Sequence, residues 1–272
     1  MSGRADGRKE PRNTPSPSFA LARIKPLTLT PFFFLVFLRA FCAIVFRVVE
    51  CRLAALLLAK ANSVPLAGVK TLRDVLDALA SGPEEYQERM TSLASYCASQ
   101  SASSPTLTLP AVAEILGKPA ASDILPSYFS DRAEQVKDVF EDSDTFVVWD
   151  RARHVFEESL RVMSASAADL VGEGFGKVMC DSHASCRDLF GCSCPELDAL
   201  VSASMESGAL GSRLTGAGWG GCNVSAVRDG DVEGFIAEVK EKYYKAFLGM
   251  DDVPDNAICV SNGSVGAGKI AF

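Results

Sequence analysis

Beyond residue 47 the apolar positions recur mostly at helical spacing. Val48–Leu53 and Leu56–Leu58 fall within one apolar helix that ends before Pro65, and Leu72–Ala80 gives a second, closed by Gly82-Pro83. Glu84–Ala98 reads as a third helix, Ser99–Pro105 as a loop, and Pro110–Leu116 as a short helix ended by Gly117 and Pro119. A long helix is predicted over Thr145–Ser164, with Val148, Ala152, Val155, Phe156 and Met163 on one face and Arg151, Arg153 and Glu157 facing away or on the margin. The next, Ala168–Phe190, turns Leu170, Phe175, Val178 and Met179 inward and sets His183 and Arg187 one turn apart. Glu196–Ser207 follows, with Pro195 at its first turn and Gly208 at its end. The period then changes. Strands Ser212–Thr215 and Cys222–Val227 flank a glycine turn, and helix Val232–Phe247 carries Val232, Phe235, Ile236, Val239 and Tyr243 as one stripe. Short strands at Ala257–Val260 and Lys269–Phe272 complete the pattern. It predicts an α+β fold, with helices packed on one face of a small antiparallel sheet and further helices preceding it.

Residues 1–46 read differently. Residues 1–30, rich in Arg, Lys, Pro and Ser, are expected to be unstructured, whereas Phe32–Phe46 is almost wholly apolar, interrupted by Arg39. A membrane span needs about 20 apolar residues, and a central arginine costs about 2.5–3.5 kcal/mol on insertion scales, so a span is not expected. The apolar run lies far from the start and lacks a small-residue cleavage site after it, which argues against a signal peptide. The segment is therefore read as distinct from 47–272, as a misjoined exon would make it, since the character of the sequence changes abruptly at Arg47.

Composition narrows the function classes. A chain of 272 residues with 48% apolar content can bury a full core. Its net charge of -7 and sequence pI near 5.0 exclude a broad nucleic-acid face, so any bound phosphate is held locally. Nine cysteines, scattered except for one cluster, fit reduced thiols in the cytoplasm. That cluster, His183, Cys186, Cys192 and Cys194, lacks the usual zinc spacings and reads as buried apolar thiols around a helix-to-helix turn.

The candidate chemistry centres on Gly211-Ser212-Arg213-Leu214-Thr215-Gly216-Ala217-Gly218-Trp219-Gly220-Gly221-Cys222. Glycines at 216, 218, 220 and 221 allow φ > 0 and close backbone approach, as anion-cradling main-chain N–H groups require. The same run also describes a tight bend between strands that binds nothing. It fits neither a P-loop nor a dinucleotide fingerprint.

Taken with Arg151-Ala152-Arg153-His154-Val155-Phe156-Glu157, Ser182 through Phe190, and Cys192-Ser193-Cys194-Pro195-Glu196-Leu197-Asp198, this loop resembles the C-terminal half of eukaryotic galactokinases. Those enzymes belong to the homoserine, mevalonate and galactokinase family of small-molecule kinases. Arg47-Val48-Val49-Glu50-Cys51-Arg52-Leu53-Ala54-Ala55 extends the likeness, which is loosest over 62–145. Trp219 and the Cys-x-Cys-Pro-Glu-Leu-Asp run look closest to the plant-type galactokinase and N-acetylgalactosamine kinase branch.

The resemblance implies an ATP- and Mg²⁺-dependent kinase acting on galactose or N-acetylgalactosamine at the anomeric hydroxyl. It makes Thr215, Gly216, Ala217, Gly218, Trp219 and Gly220 a wall of the substrate and phosphate cleft, with Arg153 and Arg187 as secondary basic candidates. Salt bridges to Glu157 and Asp188 account for those two arginines without a ligand. His154 and His183 are expected to be satisfied interior groups. The family's Gly-Glu-His sugar motif, its Ser-rich phosphate loop and its catalytic aspartate have no counterpart in this sequence, so no residue is assigned as catalytic and the isolated chain is expected to be inactive. A non-catalytic sugar-sensing or partner-binding module is the alternative.

Overall fold

The structure, a computed structural model, describes residues 19–24, 32–165 and 173–261. The expected strand at 269–272 and the inward Leu170 lie outside the described residues.

Strand β1 (Phe19–Ile24) is followed by helix α1 (Phe32–Ala61). Within α1 the stretch Leu53–Ala59 is apolar all round, and every residue of it is buried. A helix of that kind needs neighbours on every side. They are α2 (Leu72–Leu79), α3 (Tyr86–Ser103), α4 (Leu109–Leu116), α5 (Ile124–Tyr128), α6 (Ala133–Asp142) and α7 (Val148–Ser164), whose inward residues share one core with α1. Helix α2 starts on a capping box: Thr71 Oγ1 accepts from the Asp74 N–H at 3.2 Å and Asp74 accepts from the Thr71 N–H at 2.7 Å. Val148, Ala152 and Phe156 of α7 are buried as the stripe predicted, while Met163 is exposed.

Several boundaries differ from the sequence reading. The loop expected at Ser99–Pro105 is largely helical, because α3 runs on to Ser103. Helix α7 starts at Val148, since Thr145–Phe146 forms β3 and pairs with β2 (Leu107–Thr108). Helices α5 and α6 were not foreseen; Ile124, Phe129 and Val136 anchor that stretch in the core. Helix α1 itself runs through residue 47, which leaves the division of the sequence there, drawn on family likeness, untouched. Among the described residues no helix is long and apolar enough to cross a membrane.

Helix α8 (Glu173–Ser185) leads into a π-helical turn, Cys186–Phe190, closed by Gly191. After α9 (Pro195–Glu206) come β4 (Gly211–Thr215) and β5 (Cys222–Arg228), then α10 (Val232–Val239), its π-helical continuation Lys240–Phe247, and β6 (Ile258–Ser261). The wider π turn brings both Tyr243 and Tyr244 inward, edge to face at 5.2 Å.

The sheet has the order β4-β5-β1-β6 with every pair antiparallel. Residues 19–24, expected to be unstructured, form one of its two interior strands, with Ala22 opposite Ser225 and Ile24 opposite both Asn223 and Ile258. Composition hid this strand, since only six residues alternate between a basic tail and an apolar helix. Ala22, Ile24 and Val227 pack with Leu200 of α9 and Phe235 and Val239 of α10. Helices therefore cover one face of a small antiparallel sheet, the α+β arrangement expected.

Candidate functional site

The glycine loop joins β4 to β5 and stands at the surface, with Gly216 and Ala217 exposed. Gly216, Gly218 and Gly220 take positive φ as expected, but Gly221 does not; Trp219 takes the left-handed conformation instead, at φ 51°. That conformation costs a non-glycine residue about 1–2 kcal/mol. Two hydrogen bonds hold it: the Trp219 backbone N–H donates to Cys192 O at 2.8 Å and its indole Nε1 to Gly191 O at 3.1 Å. Gly218 approaches the same turn so closely that a Cβ there would lie 2.1 Å from Cys192 O. The backbone approach that these glycines permit is thus partly made to the chain's own 191–192 turn.

That turn is braced from the helical core. Glu50 on α1 is fully buried; it accepts the Val147 N–H at 2.7 Å, pairs with Arg151 Nε at 3.0 Å and also pairs with Arg47. Arg151 in turn donates to Leu189 O. A chain of contacts therefore runs from α1 through α7 to Leu189, two residues before the Gly191-Cys192 turn that holds Trp219. Arg151 was expected on the outer margin of its helix and is buried, because Glu50 supplies a buried countercharge.

Trp219 and Ala217 form one side of an open groove of about 580 Å³. Ile44, Val48, Leu72, Val155 and Phe190 give it an apolar lining. Arg47, Arg52, Lys70, Arg73 and Arg132 line it as well, and among the described residues no carboxylate does. The volume lies within the usual range of small-molecule sites, about 300–1,000 Å³. Arg52 stacks over Phe129 at 4.8 Å and, with Lys70, holds the Asp131 carboxyl at about 2, well below the usual carboxylate range. Burial pushes the Cys51 thiol up to about 12, with Glu50 adding to the shift, so the groove's cysteine is a neutral thiol at ordinary pH.

Thr215, Gly216, Gly218 and Gly220 shape the loop without lining the groove. Arg153 pairs with Glu157 at 2.7 Å and Arg187 forks onto Asp188 at 2.7 and 3.0 Å; neither reaches the groove. The pairing residues are those anticipated from spacing. The basic residues that do line it, on α1, α2 and the turn before α6, were missed. Lys70-Thr71-x-x-Asp74, a capping signature beside two cations, was the available signal for the α2 end.

Both histidines are interior. His154 Nδ1 lies 2.8 Å from Ser185 Oγ, with its ring 4.7 Å from that of Phe190. His183 Nδ1 accepts the Leu214 N–H at 3.3 Å, which fixes the proton on Nε2, 3.3 Å from Asp198 Oδ1 and not aligned for a hydrogen bond to it. Burial lowers both pKa values, opposed by Glu158 for His154 and by Asp198 for His183. An unfolded histidine titrates near ~6.5, so above that pH both are neutral in either state and their contribution is whole. As pH falls below about 6.5 the unfolded chain takes up protons first, and stability drops until the lower folded values are passed. The urea midpoint is expected to fall from about pH 7.5 to about 5.5 and to fall less in H154Q/H183Q; equal slopes for the two proteins would remove this assignment.

Among the described residues no three His, Cys, Asp or Glu side chains gather as a metal site. Cys186 and Cys192 lie together in a small cluster with Leu197 and Leu214, against which Trp219 packs.

Residues 167–245 match the family described as GHMP kinases C terminal. Galactokinase of Dictyostelium discoideum is 36% identical over 225 residues, covering 74% of this chain and 42% of that protein. Galactokinase of Saccharomyces cerevisiae is 36% identical over 167 residues, 54% of this chain and 31% of that protein. The solved structure of Lactococcus lactis galactokinase complexed with galactose aligns at a TM-score of 0.46 and 19% identity, over 93% of this chain and 46% of that one. The chain spans less than half the length of these curated relatives. Residues 167–245 thus match the GHMP kinase C-terminal family, and the chain around them resembles the C-terminal half of the galactokinases.

Proposed function

We propose that this chain supplies one wall of the substrate cleft of an ATP-dependent sugar kinase acting on galactose or N-acetylgalactosamine at the anomeric hydroxyl, in the cytoplasm. The observation that carries the reading is the placement of Ala217 and Trp219, at the tip of the loop between β4 and β5, on an open groove of about 580 Å³. Thr215, Gly216, Gly218 and Gly220 act there by fixing the loop's shape. Phosphoryl transfer is chiefly positioning and charge stabilisation, so a rigid loop braced from Glu50 suits one side of such a cleft.

Mg²⁺ seeks oxygen ligands, usually one or two carboxylates with substrate phosphates. Among the described residues the groove lining offers no carboxylate, so these residues do not fit the metal and no step is assigned through it. The same described lining holds no carboxylate base for a sugar hydroxyl. The chain by itself is therefore expected to give no turnover with ATP, Mg²⁺ and galactose, and to require a second polypeptide segment carrying the base and phosphate loop. The missing base equally suits a non-catalytic sugar-binding module. Purified 272-residue chain, assayed alone and when fused behind the N-terminal half of the Dictyostelium galactokinase, separates the two. Activity in the fusion alone supports the kinase wall, sugar binding with an inactive fusion supports the module, and turnover by the unfused chain would overturn both.

A further inference from the structure

We propose that Cys186 and Cys192 are a reactive dithiol, a modification site where a low-molecular-weight disulfide such as oxidised glutathione drives formation of a Cys186–Cys192 bond and fixes the turn that holds Trp219. Neither cysteine lines the groove, and the site does not depend on the kinase reading.

Placement is the first ground. Cys186 opens the π-helical turn Cys186–Phe190 and Cys192 follows it, and the closure of the turn brings them together, with the Cys192 N–H donating to Cys186 O at 3.0 Å. Residues joined by such backbone bonds have Cα atoms roughly 5–6 Å apart, inside the span of about 4.4–6.8 Å that a disulfide bridges. The Cys192 side chain points back across the turn, its Sγ 3.5 Å from Cys186 O, and the two thiols are within hydrogen-bonding reach of each other.

The second ground is charge. Arg213 Nη2 lies 3.9 Å from Cys186 Sγ. Its carboxylate partner, Glu158, is shared with Arg161, so positive charge remains beside Cys186. The hydrogen bond from Cys192 lowers the Cys186 pKa, with Arg213 acting in the same direction against burial, and the same bond raises that of Cys192. The thiolate is the attacking species, which makes Cys186 the nucleophile and Cys192 the resolving thiol. Burial pushes the neighbouring Cys194 up to about 11 and leaves it a poor competitor.

Access is the third. Both cysteines are 5% exposed, and Trp219 packs on their cluster while resting on the carbonyls of Gly191 and Cys192. Movement of Trp219 uncovers the pair, and the bond then formed anchors the turn on which Trp219 rests. In the exchange, the Cys186 thiolate attacks one sulfur of the small disulfide, whose S–S bond breaks as a mixed disulfide forms. Cys192 loses its proton, attacks the Cys186 sulfur and expels the second small thiol. The dithiol is oxidised, the small disulfide is reduced, and the two thiol protons end on the two released thiols.

The whole folded chain, incubated with oxidised glutathione, alkylated and digested with trypsin, tests this by mass spectrometry. The expected product joins residues 178–187 to 188–213, is lighter by two hydrogens, maps to Cys186 and Cys192 on fragmentation, and persists in C180S/C194S. C192S is expected to retain glutathione on Cys186, and C186S to capture it roughly tenfold more slowly. In a W149F background, oxidation is expected to change Trp219 emission, and not to do so in C186S. Near-ultraviolet circular dichroism reports whether each variant keeps its fold, and the link mapped in the unsubstituted protein stands without them. Absence of the link in the folded protein, a link through Cys180 or Cys194 in its place, glutathione capture by folded C186S as fast as by C192S, or Trp219 emission unmoved by oxidation would each overturn the proposal. Because neither ATP nor sugar is present, these outcomes are independent of the turnover assay.

Discussion

Glu50→Gln is expected to destabilise the protein by about 3–5 kcal/mol, a large share of the roughly 5–15 kcal/mol that holds a domain folded. Glu50 is fully buried and its two oxygens serve the Val147 N–H, Arg151 and Arg47. Glutamine keeps the shape but withdraws the negative charge, and Arg151, itself 8% exposed, is left as an unbalanced buried cation. The damage should reach the loop, because Arg151 also donates to Leu189 O, two residues before the carbonyl that holds the Trp219 indole. Urea unfolding followed by circular dichroism gives the first quantity, and Trp219 fluorescence in a W149F background gives the second. E157Q, which breaks a half-exposed pair on the same helix as Arg151, should cost less than about 1 kcal/mol. If E50Q and E157Q cost the same, the buried brace does not exist in solution.

Gly218→Ala is expected to cost about 2–4 kcal/mol and to release Trp219 from the groove wall. Gly218 has φ 85°, and an added Cβ would lie 2.1 Å from the carbonyl oxygen of Cys192. Backbone atoms on both sides have no slack, so the loop must lift and lose the two hydrogen bonds from Trp219. Gly216→Ala is the comparison. Gly216 has nearly the same φ, 84°, but nothing lies within 4 Å of the place a methyl group would take there, so only the strain of about 1–2 kcal/mol applies. Equal losses in chemical denaturation for the two variants would show that close approach to the 191–192 turn is not what position 218 requires.

What the sequence made legible was local. The stripe on α10 and the buried face of α7 follow from spacing within one element, and the bend between β4 and β5 follows from glycines at alternate positions. What stayed hidden depended on partners far along the chain. Arg151 reads as an outward charge until Glu50, 101 residues earlier, is placed against it. The groove's cations come from three separate segments, 47–52, 70–73 and 132, whose convergence no local pattern announces. Trp219 taking a left-handed conformation where Gly221 was expected to is likewise set by acceptors at Gly191 and Cys192, not by its own type.

Strand β1 gives the kinase-like region a dependence that its matched residues conceal. Without Phe19–Ile24, β5 and β6 have no hydrogen-bonded neighbour between them, and two raw edges open in the middle of the sheet. Open edges recruit the nearest extended segment, including one from another molecule. A recombinant protein trimmed to begin at Arg47 therefore loses its keystone, and strand exchange between copies becomes the natural repair.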